Sequence, residues 1–109
     1  MIDFSKEKMI ADEAFAAAAR ATENYLATYG HRDACGFAWV SLKPATTRMA
    51  RYLKSQNLAK RNYGESGLMV WNPSGNYTQA MGAKEEGAYA FAKVLRDHGI
   101  NAYASSRMD

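Results

Sequence analysis

Cysteine is almost absent from this chain. The single thiol, Cys35, excludes an intrachain disulfide and any four-cysteine zinc site, and it fits a reducing compartment best. Histidine is as sparse: His31 and His98 lie far apart, neither with a second ligand at metal spacing, so no metal or other cofactor is expected. Long apolar runs are missing too. The longest, Ala14 to Ala19, is alanine-rich and far too short to span a bilayer. The start, Met1-Ile2-Asp3-Phe4, has an early acid and no apolar stretch, unlike a secretory signal. These absences predict a cytoplasmic protein with no membrane partner.

Catalytic signatures are missing as well. The Gly-Xaa-Ser-Xaa-Gly and P-loop patterns do not occur, and Ser74-Gly75-Asn76 is too short to cradle a phosphate. His31, Asp33 and Cys35 are close in sequence, but a cysteine opening a strand beside Phe37 and Trp39 reads as a packed, inert thiol. His98 is explained as a helix-terminal residue favoured by the dipole, and Glu85 and Glu86 as first-turn acids. No catalytic residue is assigned, and the sequence leans away from an enzyme. A small-molecule enzyme is the least favoured reading.

Acidic residues vanish from one stretch. Between Asp33 and Glu65 there are none, while Lys43, Arg48, Arg51, Lys54, Lys60 and Arg61 all fall there. The overall charge is only +3, so this segment concentrates positive potential well beyond the average. These six residues form the candidate site for a phosphate-bearing partner, nucleic acid or nucleotide. Phosphate contacts position a partner without reading its sequence.

What is present reads as one globular α+β domain over residues 1–109, with 48% apolar and 23% charged residues. Ser5 to Tyr29 contains no Gly or Pro and is followed by Gly30, which predicts a long amphipathic helix within residues 1–30. Its apolar side comprises Ile10, Ala14, Phe15, Ala18, Ala21, Tyr25, Leu26 and Tyr29. Residues 34–106 then read as β-α-β-β-α-β: a strand over Cys35–Leu42, a helix from Lys43-Pro44 to about Asn57, and a loop over Leu58–Glu65. A strand over Ser66–Trp71, a strand over Asn76–Met81, a helix from Ala83 to His98 and a strand over Ile100–Ser105 follow. Asn72-Pro73-Ser74-Gly75 fits a type I turn position by position and predicts a hairpin. If residues 72–79 are instead a plain loop, the sheet has three strands and another topology. The order matches the ferredoxin-like split βαβ pattern, preceded by one extra helix.

Split by parity, the strands carry two apolar faces. Ala38, Val40, Leu42, Leu68, Val70, Ala80, Ile100, Ala102 and Ala104 suit a surface beneath helices. Phe37, Trp39, Met69, Trp71, Tyr77 and Tyr103 form an aromatic face that needs other cover or a ligand. The first helix is expected to supply that cover through Phe15, Ala18, Tyr25 and Leu26, in its own subunit or a neighbour's, because each aromatic left in water forgoes about 1.5–3 kcal/mol. Bare aromatics would instead suit base stacking, although residues 76–81 lack the Lys/Arg-Gly-aromatic core of RNA-recognition domains. The leading functional expectation is a small noncatalytic binding or regulatory module for a phosphate-bearing partner. The alternative is a homo-oligomeric interaction protein using the aromatic face or the first helix as its interface.

Overall fold

The structure is a computed structural model that describes residues 2–32, 34–61 and 67–109. Helix α1 (Ser5–Tyr29) leads into strand β1 (Gly36–Leu42), helix α2 (Arg48–Ser55) and strands β2 (Lys60–Arg61) and β3 (Leu68–Trp71). Helix α3 (Met81–Asp97) and strand β4 (Ala102–Met108) complete it. The fold is α+β, and the described residues form three helices and a four-stranded antiparallel sheet in the order β2-β3-β1-β4.

The small aliphatic residues do face the helices. Ala38, Val40, Leu42, Leu68, Val70 and Ala102 are buried with Met49, Ala50 and Leu53 of α2 and Ala88, Phe91 and Ala92 of α3. Helix α3 packs on β1 and β4, and α1 lies along α3 and touches α2. Ile10, Ala11, Ala14 and Ala18 of α1 enter this same core, and Phe15 meets Phe91 edge-on at 4.8 Å. The helix therefore does not cover the aromatic face of its own sheet. Its buried side includes Ala11, Ala14 and Ala18, and alanine allows helix backbones to approach closely. Gly87 of α3 allows that approach: a Cβ there would lie 2.5 Å from Thr22 Oγ1 and 3.3 Å from the Ala18 carbonyl oxygen.

Three sequence expectations change. The predicted strand over Asn76–Met81 does not form. The Gly75 N–H closes the expected turn onto the Asn72 carbonyl, but side chains then satisfy the backbone that a ladder would have used. Asn72 Nδ2 donates to the Asn76 carbonyl, the Thr78 N–H to Asn76 Oδ1, and the Ala80 N–H to Thr78 Oγ1. Such local bonds compete directly with sheet formation. Only Ala80 touches the sheet, bridging to Cys35. The fourth strand comes instead from Lys60–Arg61, inside the stretch expected to be loop; residues 62–65 of that stretch, and Ser66 of the expected next strand, lie outside the described residues. Helix α2 begins at Arg48 rather than at Pro44, because Thr47 Oγ1 accepts the Ala50 N–H and caps it. Its far end is as expected: Asn57 adopts φ 59°, and the Leu58 N–H bonds back to the Leu53 carbonyl, a Schellman-type stop.

No described helix is long and apolar enough to cross a membrane. The described residues contain no cluster of three metal-ligating side chains.

Candidate functional site

The sheet face opposite the helices is built by register. Trp39 stands directly across from Trp71. The Asn72 N–H bonds to the Ala38 carbonyl, so in the β1–β3 ladder the hydrogen-bonded pairs are even-numbered on β1 and Trp39–Trp71 is a non-hydrogen-bonded pair. Side chains approach most closely at such pairs. The two indoles accordingly stack at 5.7 Å with 7° between their planes, and Phe37 leans on Trp71 at 5.5 Å. On the other side of β1, Phe37 pairs with Arg107, Trp39 with Ser105 and Ser41 with Tyr103. Trp71 is 47% exposed; Phe37, Trp39, Met69 and Tyr103 are half-buried.

Cations ring these aromatics. Lys43 Nζ lies 5.4 Å from the Tyr103 ring centroid. The Arg107 guanidinium and Lys84 Nζ lie 5.6 and 5.5 Å from that of Phe37. Lys84 also donates to the Gly36 carbonyl at 3.0 Å, which fixes it at the sheet's end. Lys60 sits opposite Met69, on the aromatic side by register. None of the four strands contains an acidic residue. Two polar atoms of β1 on this side, Trp39 Nε1 and Ser41 Oγ, are shielded from solvent and have no hydrogen-bond partner among the described residues.

The six basic residues singled out from sequence are thus divided. Lys43 and Lys60 belong with the aromatic face. Arg51 and Lys54 are exposed on the outer side of α2, across the sheet from it, and Arg61 is exposed on β2. Arg48 turns towards α1: its Nη2 and Nε lie 3.2 and 3.4 Å from the carboxylate of Glu7, which is only 8% exposed. It also donates to the Asp3 carbonyl and lies over Phe4. The Asp3 carboxyl is held below the usual carboxylate range, mainly by the Ser5 hydroxyl, then by the Ser5 N–H, with Arg48 adding to it.

Of the five aromatics, Phe37, Trp39, Trp71 and Tyr103 share the face. Tyr77 does not: without a third-strand hairpin it stands in the loop after Gly75, 97% exposed. Cys35 is exposed rather than packed, because the face that alternation gives it has no cover. His31 Nδ1 lies 2.8 Å from Thr78 Oγ1, and His98 Nε2 lies 3.1 Å from Glu13 Oε1; Asp33 lies outside the described residues. Sequence reasoning missed Lys84 and Arg107. Arg107 was legible in principle, since it continues the Tyr103–Ser105 parity two residues beyond the expected strand end. Lys84 carried no such signal, because it reaches the face from a helix.

Compared with known proteins, the chain matches no family model, no curated protein and no solved structure.

Proposed function

We propose that this protein is a noncatalytic binding module for a phosphate-bearing partner, and that the partner is single-stranded nucleic acid held on the aromatic sheet face. One observation carries the reading: the Trp39–Trp71 stack, with Trp71 47% exposed, lies among Lys43, Lys60 and Arg107, on four strands without an acid. Aromatic rings offer every base a stacking partner worth about 1–3 kcal/mol, and cations at the rim neutralise phosphates. The order β-α-β-β-α-β after α1, with β1 and β3 central, supports a ferredoxin-like core. RNA-recognition domains likewise stack bases on a four-stranded sheet; this is fold-level analogy and adds little on its own.

The rival is a homo-oligomer that buries this face against a second copy. The exposed apolar area favours it, but the charge does not: two such faces in contact would confront Lys43, Lys60 and Arg107 with their own copies.

Binding of short single-stranded and duplex oligonucleotides and of free nucleotides, measured by filter retention across a salt series, tests the proposal. Single strands are expected to bind best, with log affinity falling by about 0.7 per log unit of salt for each phosphate neutralised. Trp39→Ala and Trp71→Ala should each weaken binding by roughly 5- to 150-fold. Absence of binding at low salt overturns the whole reading. Loss of binding in Arg51→Glu/Lys54→Glu protein, with the tryptophan variants unaffected, would move the site to α2.

A further inference from the structure

We infer that the outer edge of β4 is a self-pairing edge, through which two copies of this chain join their sheets into one. The inference goes beyond the binding reading and does not depend on it. The Asp109 N–H bonds to the Cys35 carbonyl and the Lys43 N–H to the Asn101 carbonyl. With the β1–β4 register, these fix the odd-numbered residues of β4 as those bonded to β1. The even-numbered residues then direct their N–H and C=O groups outward. Arg96 Nη1 takes the Ala102 carbonyl at 3.0 Å. The outward backbone groups of Ala104, Ser106 and Met108 meet no partner among the described residues.

Unpaired edges are normally blunted by shortness, charge or proline. The opposite edge is: β2 is two residues long, and both are charged. Strand β4 is seven residues long, with no proline, no acid and a run of small side chains, Ala-Tyr-Ala-Ser-Ser-Arg-Met.

Its sequence is complementary to itself when run antiparallel about Ser105. In that register Ala104 pairs with Ser106 of the second copy and exchanges the ladder hydrogen bonds with it, while Ala102, whose carbonyl Arg96 holds, offers its N–H to Met108. On the aromatic side Ser105 meets Ser105, and each Tyr103 stands across from the second copy's Arg107. Helix α3 supplies a second contact. Glu85 accepts from Ser106 Oγ at 2.7 Å and Arg96 reaches Ala102, so the 85–89–92–96 side of α3 overhangs this edge. Tyr89 lies on that side, half exposed. Interpolating between the two anchors puts it at the level of residues 104–105, beside the two-fold axis, where it meets its own copy.

Sedimentation of the full chain at tens of micromolar is expected to give a dimer. In a Cys35→Ser background, Ser105→Cys should oxidise readily to a disulfide-linked dimer, because non-hydrogen-bonded antiparallel pairs bring their side chains close. Ser106→Cys, which faces Ala104, should not. Ala104→Pro removes an N–H that the monomer does not use, so native circular dichroism with loss of the dimer is expected. A monomeric wild-type chain overturns the inference, as does an Ala104→Pro protein that stays dimeric. Cross-linking through Ser106→Cys in preference to Ser105→Cys overturns the register and the inference with it.

Discussion

Gly87 is a point of close approach between α1 and α3, and it sets up a contest between propensity and packing. Alanine is the better helix residue by about 1 kcal/mol. Its methyl group, however, would sit 2.5 Å from Thr22 Oγ1 and 2.9 Å from Ser74 Cβ. Thr22 cannot swing aside cheaply, since it is fully buried and donates to the Ala83 carbonyl at 2.6 Å. Overpacking costs about 1–3 kcal/mol, so after the propensity gain Gly87→Ala is expected to be destabilising by up to about 2 kcal/mol, seen as a lower urea midpoint; a higher midpoint would mean that Thr22 yields. Residue roles set by such long-range contacts were the least legible in sequence. Arg48 looked like one more exposed cation because its partner Glu7 is 41 positions away, and nothing local announces the pair. Trp39, Trp71 and Tyr103 were readable because strand parity is a local property.

Helix α2 has eight residues, too few to be stable alone, and Thr47 is its side-chain cap. Thr47→Ala should therefore lower global stability by about 0.5–2 kcal/mol, measurable in urea with an unchanged denaturant slope. The same elements mark the limits of pattern reading. The long helix α1 was legible to the residue, since twenty-five positions without Gly or Pro leave little choice. Strand β2 was not, because two charged residues carry no apolar alternation and pair only when β3 is beside them. The hairpin after Pro73 failed for the opposite reason. Its turn forms, but Asn72, Asn76 and Thr78 bind their own backbone and leave nothing for a ladder.

At the scale of the molecule, α1 is part of the core rather than an appendage. It contributes buried Ile10, Ala11, Ala14, Ala18 and Thr22, and through Glu7 it neutralises Arg48. A chain trimmed to residues 34–109 is expected to lose its cooperative thermal transition, because Phe91 and the alanines of α3 would lose their cover; a sharp transition in the trimmed chain would show that the βαββαβ portion stands alone. Sequence periodicity gave the class of fold and the two sheet faces but not the side on which α1 packs, since an alanine-rich helix suits either. That choice left the other side of the sheet without cover from α1, with both of the protein's tryptophans on it. Their parallel rings, in contact, make a coupled chromophore. The tryptophan emission of the chain therefore originates from this one surface, and a partner that settles on the exposed Trp71 is expected to change the light the protein gives back without any label being attached.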